Sequence, residues 1–269
     1  MKSNTVSRHQ NIPNPASYRA FTLVELVVVI AILALVAAMS LPALCKTNIK
    51  SQGFQCMSNT RALTAAWLMY SVENRDVLLS SIGWVTDSSA SSGSTDFVDL
   101  NNKLSTNALS TYLGGNVKVY RCPADPRRST LANHVGKPPA RSYSMNNHIG
   151  HYVLRDNTYP YFEYLKMSDL IRPGPGNTLV ILDESPTIND GWFIANMGGF
   201  DPRDTALQAS SGFSDRPSYY HGRTGNFAFA DGHGESHKWK QFNATTAPSA
   251  DDVDWLQSKI TAKITNPTR

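Results

Sequence analysis

"RAFTLVELVVVIAILALVAAMSLPALCK" occupies residues 19–46, and within this long apolar run Glu25 is the one acidic side chain. An ionisable group inside a bilayer is costly and is functional by default, so the reading of this stretch governs the rest of the chain. From Leu26 to Leu44 the run is broken only by Ser40 and Pro42. As a helix it extends roughly 28 Å, about one hydrocarbon core. Before it, residues 1–20 carry Lys2, Arg8 and Arg19 and no acid. That asymmetry predicts a cytoplasmic N-terminus, a single pass through the inner membrane and an exported remainder.

Three processing schemes compete for the segment. A secretory signal peptide would place Ala38 and Ser40 before its cut, which leaves Glu25 inside the apolar core. A lipoprotein signal needs a small residue before its cysteine, and Leu44 precedes Cys45. The third scheme ends a basic leader at Ala20, cuts on the cytoplasmic side and makes Phe21 the mature N-terminus. Only this one gives Glu25 a role.

Ala20 followed by Phe21-Thr22-Leu23-Val24-Glu25 and an apolar helix resembles the prepilin signal of the type IV pilin and type II secretion pseudopilin superfamily. That family normally has Gly where this chain has Ala20. The resemblance implies cleavage between Ala20 and Phe21 by a prepilin peptidase, methylation of the new amine, and assembly with other pilin or pseudopilin subunits. In apolar surroundings the Phe21 amine needs a counter-charge, and Glu25 of a neighbouring subunit supplies it. Such a buried pair adds little net stability but sets register, because a slipped helix leaves two unpaired charges.

The chain divides into a leader (1–20), an apolar anchor and assembly helix (21–44), an amphipathic continuation (45–76) and an exported head (77–269). In the continuation Phe54, Met57, Leu63, Trp67 and Tyr70 recur at helical spacing. Pro42 and Gly53 weaken the helix locally. In the head, "NVKVYRC" (116–122), "RSYSMNN" (141–147), "NTLVILDE" (177–184), "GNFAFADG" (225–232) and "GHGESHKW" (232–239) read as short strands. The expected fold is α+β: a long N-terminal helix on an antiparallel sheet, with long loops over 86–102 and 185–220.

A second resemblance lies in the head. His221, nine residues and then Asp231-Gly232 is similar to the H-x9-DG signature of processing-associated, pseudopilin-like proteins, numerous in planctomycete and verrucomicrobial bacteria. "QCMSNTRAL", "YRCPAD", "RSYSMN" and "TLVILDE" resemble that group's recurring segments. The residues themselves suggest that Asp231-Gly232 turns the chain, Gly232 supplying backbone freedom, while His221 holds the loop before it. The alternative is a calcium site of Asp183, Glu184 and Asp231, carboxylates ending two strands. A transition-metal face of Asp231, His233, Glu235 and His237 is the remaining option.

Three cysteines are present. Cys45 and Cys56 lie about 16 Å apart along one helix and cannot bridge each other. An exported head makes Cys56–Cys122 the plausible disulfide, with two buried thiols as the alternative. No nucleophile motif, phosphate-binding loop or zinc-helix motif occurs, so neither catalysis nor a cofactor is expected. Nor does a basic stripe suggest nucleic acid. The two functional classes left are a filament subunit and a monomeric, membrane-anchored, exported binding module.

Overall fold

The computed structural model describes residues 22–85, 104–130, 132, 135–150, 161–184, 191–195, 197, 213, 215–242 and 248–262, leaving out the side chains of 37–47. The processing residues Ala20 and Phe21, the loop at 86–102 and most of the excursion at 185–220 lie outside these residues. Two compact units are present, Met1–Lys46 and Thr47–Arg269.

Helix α1 runs from Leu23 to Glu73. In the first unit every described side chain from Leu23 to Val36 is exposed. Among the described residues no helix is long and apolar enough to cross a membrane; the second half of the expected span falls where side chains are not described.

In the second unit the buried stripe of α1 runs through Cys56, Asn59, Thr60, Leu63, Thr64, Trp67 and Ser71. It is more polar than an apolar count suggests, and it omits Phe54, which is 77% exposed. Three of its polar members have partners: Asn59 donates to the Arg121 carbonyl at 3.0 Å, Thr60 to the Met57 carbonyl at 2.9 Å and Ser71 to the Leu68 carbonyl at 2.8 Å; the Thr64 hydroxyl is buried with no hydrogen-bond partner among the described residues. The helix stops where Arg75 and Asp76 take positive φ, with the Asp76 N–H bonded back to the Ser71 carbonyl at 3.0 Å.

Five strands form one sheet in the order β3-β1-β2-β4-β5. They are β1 (Tyr143–Asn146), β2 (Leu179–Asp183), β3 (Trp192–Phe193), β4 (Thr224–Phe229) and β5 (Gly234–Lys238). Four of the five sequence segments read as strands are strands. The sheet is mixed rather than antiparallel, because β3 pairs parallel to β1. The fifth segment, 116–122, instead forms a 3-10 turn at Val117–Tyr120. There the Asn116 side chain accepts from the Lys118 N–H, after Gly114 and Gly115 at positive φ. Local side-chain bonding of this kind competes with a ladder.

Both sheet faces are covered. Leu63 and Trp67 of α1 share a core with Tyr143, Met145, Val180 and Ile181. On the other side Leu179, Leu182, Phe227 and Phe229 pack with Leu256 and Ile260 of α2 (Ala250–Ile260). Ser249 and Asp252 cap that helix reciprocally, a capping box.

His148, which follows β1, is buried, with Nδ1 3.1 Å from the Phe162 carbonyl. Burial pushes its pKa down to about 4. The unfolded chain therefore takes up this proton first, so the contribution of neutral His148 is complete above about pH 6.5 and is lost as pH falls toward 4, by up to about 3 kcal/mol. Denaturant melts should show that slope in the wild type and lose it in His148→Gln.

Candidate functional site: a capped N-terminus and a buried Cys-Cys-Asp-His cluster

The start of α1 is closed by its own sequence. Glu25 Oε2 accepts from the Thr22 N–H at 2.9 Å and from Thr22 Oγ1 at 2.8 Å, while the Glu25 N–H donates to Thr22 Oγ1 at 3.2 Å. Thr22 is the N-cap and Glu25 the third helical residue, so T-x-x-E here is a capping box. Glu25 thus has a role within its own chain, one the charge argument alone does not supply.

The second unit brings together Cys56, Cys122, Asp183 and His221, whose Sγ, Sγ, carboxylate and ring-nitrogen atoms all lie within 4.8 Å of one another. Cys56 stands on α1. Cys122 follows the 3-10 turn, and its loop is pinned by the buried Asp125–Arg127 ion pair at 2.6 Å, with Ser142 Oγ donating to Asp125 at 2.6 Å. Asp183 ends β2, its Oδ1 accepting from the Asn226 N–H of β4 at 2.7 Å. His221 lies in the turn before β4, where Gly222 and Arg223 take positive φ.

Within the cluster Cys122 Sγ is 3.3 Å from His221 Nε2, Cys56 Sγ donates to Asp183 Oδ2 at 3.3 Å, and His221 Nε2 is 3.6 Å from that same oxygen. Tyr143 Oη donates to Cys56 Sγ at 3.5 Å. Charge is shared unequally among these groups. The Cys56 hydrogen bond and the His221 contact lower Cys122 to about 6. Burial, then the Cys122 charge, raises Asp183 to about 7, and burial drives Cys56 well up. Burial alone would depress His221, but Cys122 and Asp183 outweigh it and raise its pKa.

Both cysteines are free thiols. The expected Cys56–Cys122 disulfide is not formed; the structure has the alternative of two buried thiols, Cys56 engaged by Asp183 and Cys122 by His221. The calcium candidates do not converge. Asp183 faces α1, whereas Glu184, next along the strand, points the other way and accepts from Ser144. Asp231 follows the end of β4 that pairs with Leu179, the opposite end of β2 from Asp183. Antiparallel pairing places the ends of successive strands at opposite edges.

Residues 16–41 match the prokaryotic N-terminal methylation motif. No curated protein and no solved structure matches the chain. The motif supports a prepilin signal of the type IV pilin kind, and with it a chain anchored through its N-terminus, processed by a prepilin peptidase and assembled with pilin subunits in general.

The two halves of H-x9-DG do different things. Asp231 Oδ1 accepts from the His233 N–H at 3.0 Å and Gly232 takes φ +89°, so the pair turns β4 into β5. His221 belongs to the buried cluster. The proposed metal face on the last strand is dispersed: His233 stacks on Phe229, and His237 stacks on Trp255 with Nε2 3.4 Å from Asp252.

Proposed function

We propose that the chain is a structural, non-catalytic pseudopilin-like subunit, cut between Ala20 and Phe21, held in the inner membrane by residues 21–44 with its head exported, and assembled into a filament of the type II secretion or type IV pilus kind. The observation that carries this reading is the prepilin-type motif over 16–41, joined to a helix start whose described side chains, apolar apart from Glu25, are all exposed. A helix that is apolar all round requires lipid or neighbouring helices around it. Residues 23–36 supply such a surface, lipid covering it before assembly and sister subunits after. The H-x9-DG resemblance adds a pseudopilin-like head of the planctomycete and verrucomicrobial type. The competing reading is a monomeric anchored binding module, in which the same helix only tethers. Shearing cells and sedimenting the released material separates the two: a filament subunit enters the sedimentable fraction, whereas a tether stays wholly with the membrane.

A further inference from the structure

We propose that Cys56, Cys122, Asp183 and His221 form a closed, four-coordinate site for a divalent transition metal, with zinc as the ion whose ligand chemistry fits. They are the one such group of His, Cys, Asp and Glu among the described residues. Two sulfurs, an imidazole nitrogen and one carboxylate oxygen are a soft-to-borderline donor set, the kind zinc takes. Calcium wants six to eight oxygens, which this site does not offer.

The spacing agrees with the chemistry. Zinc bonds of about 2.3 Å to sulfur, about 2.0 Å to nitrogen and about 2.1 Å to oxygen in a tetrahedron put neighbouring ligand atoms about 3.4 to 3.8 Å apart. Three of the six edges are 3.3, 3.3 and 3.6 Å, at or just under that range, and all six lie within 4.8 Å. All four residues are buried, as a structural site with no open position requires. Two further contacts orient the ligands from behind: Tyr143 Oη donates to Cys56 Sγ, and the Asn226 N–H donates to the Asp183 oxygen that faces away from His221.

Each ligand comes from a different part of the fold: α1, the loop after the 3-10 turn, the end of β2 and the turn into β4. A bound ion therefore ties the helix to the sheet at the point where the head begins. A disulfide between Cys56 and Cys122 would use only two of the four groups. It would also remove the thiol donor to Asp183 Oδ2, leaving that buried carboxylate the Asn226 N–H and the nearby His221.

The full-length protein, purified in detergent without chelators, provides the test. Elemental analysis should find about one zinc per chain, and stripping it with a strong chelator should lower the melting temperature by about 10 °C, reversibly on adding zinc. Cobalt added to the stripped wild type should give the intense thiolate-to-cobalt charge-transfer absorption together with tetrahedral d–d bands. His221→Ala and Asp183→Asn should each cut metal occupancy severalfold. The wild-type cobalt spectrum keeps the test decisive even where a variant misfolds. Wild-type protein with no zinc and no cobalt–thiolate band, or a Cys56–Cys122 disulfide in a non-reducing peptide map, would overturn the proposal. Neither readout depends on processing or on filament entry.

Discussion

Glu25→Ala protein is expected to insert and to be cleaved normally, yet to be depleted about tenfold or more from sheared filament fractions, an equilibrium loss of about 1.4 kcal/mol or more. Two physical roles meet at this carboxylate, and they predict different variant patterns. As the third residue of a capping box it satisfies the Thr22 N–H and hydroxyl, a contribution of about 1 kcal/mol to the helix start. As a charge it would neutralise the amine on Phe21 of a neighbouring subunit. Glu25→Gln keeps the capping geometry, since glutamine serves in such boxes, but removes the charge. Thr22→Val removes the cap and keeps the charge. Charge pairing predicts that Glu25→Gln fails to assemble as Glu25→Ala does, while Thr22→Val assembles. Normal incorporation of Glu25→Gln would reduce Glu25 to a helix cap.

The largest single-residue effect on stability is expected at Gly150. Its φ is +73°, and a Cβ there would lie 2.2 Å from Ser80 Cα and 2.9 Å from Ser80 N. Those are backbone atoms, fixed by the Ser81 N–H bond to the Ile149 carbonyl at 3.0 Å and the Gly150 N–H bond to the Tyr164 carbonyl at 2.8 Å. The chain leaving α1 is thus pressed against the segment following β1. Gly150→Ala combines backbone strain with a clash that no side-chain rotation relieves, for an expected loss of about 3 to 5 kcal/mol. Gly136→Ala is the control. Its φ is +78° but no atom of the described residues lies within 4 Å of the added carbon, so only the strain is expected, about 1 kcal/mol. Paired denaturant melts give both values, and equal losses would contradict the close approach.

Strand positions were legible wherever apolar, β-branched or aromatic residues ran between turn signals, as in β1, β2 and β4. The misread segment, 116–122, carries the same apolar alternation, but Asn116 and the two preceding glycines redirect its backbone into a 3-10 turn. Helix α2 went unread although Ser249 and Asp252 form a capping box ahead of Leu256 and Ile260; that pattern is a usable signal. The parallel strand β3 has two residues, too short for any periodicity to register. On α1, counting apolar residues puts Phe54 on the buried face and passes over Asn59 and Thr60, since hydropathy ignores the partners that make a buried polar group tolerable.

The cluster was half legible. Helix–sheet packing does bring Cys56 and Cys122 into one cluster, but as free thiols rather than the expected disulfide. Strand ends suggest a grouping of Asp183 with Asp231, and the motif groups His221 with Asp231; antiparallel pairing separates the first two, and the convergence of Asp183 with His221 crosses elements that no local pattern joins. The five segments "QCMSNTRAL", "YRCPAD", "RSYSMN", "TLVILDE" and H-x9-DG nonetheless supply Cys56, Cys122, Tyr143, Asp183 and His221 respectively. Four of them supply the clustered groups and the remaining one supplies Tyr143, which donates to Cys56 Sγ, so these segments together carry the site.

The central claim, a prepilin-type N-terminus, is tested most directly by the intact mass of the protein isolated from its native membrane. The predicted species begins at Phe21 and carries one added methyl group on its amine. A chain that retains Met1, or one that begins near residue 41, would contradict the account.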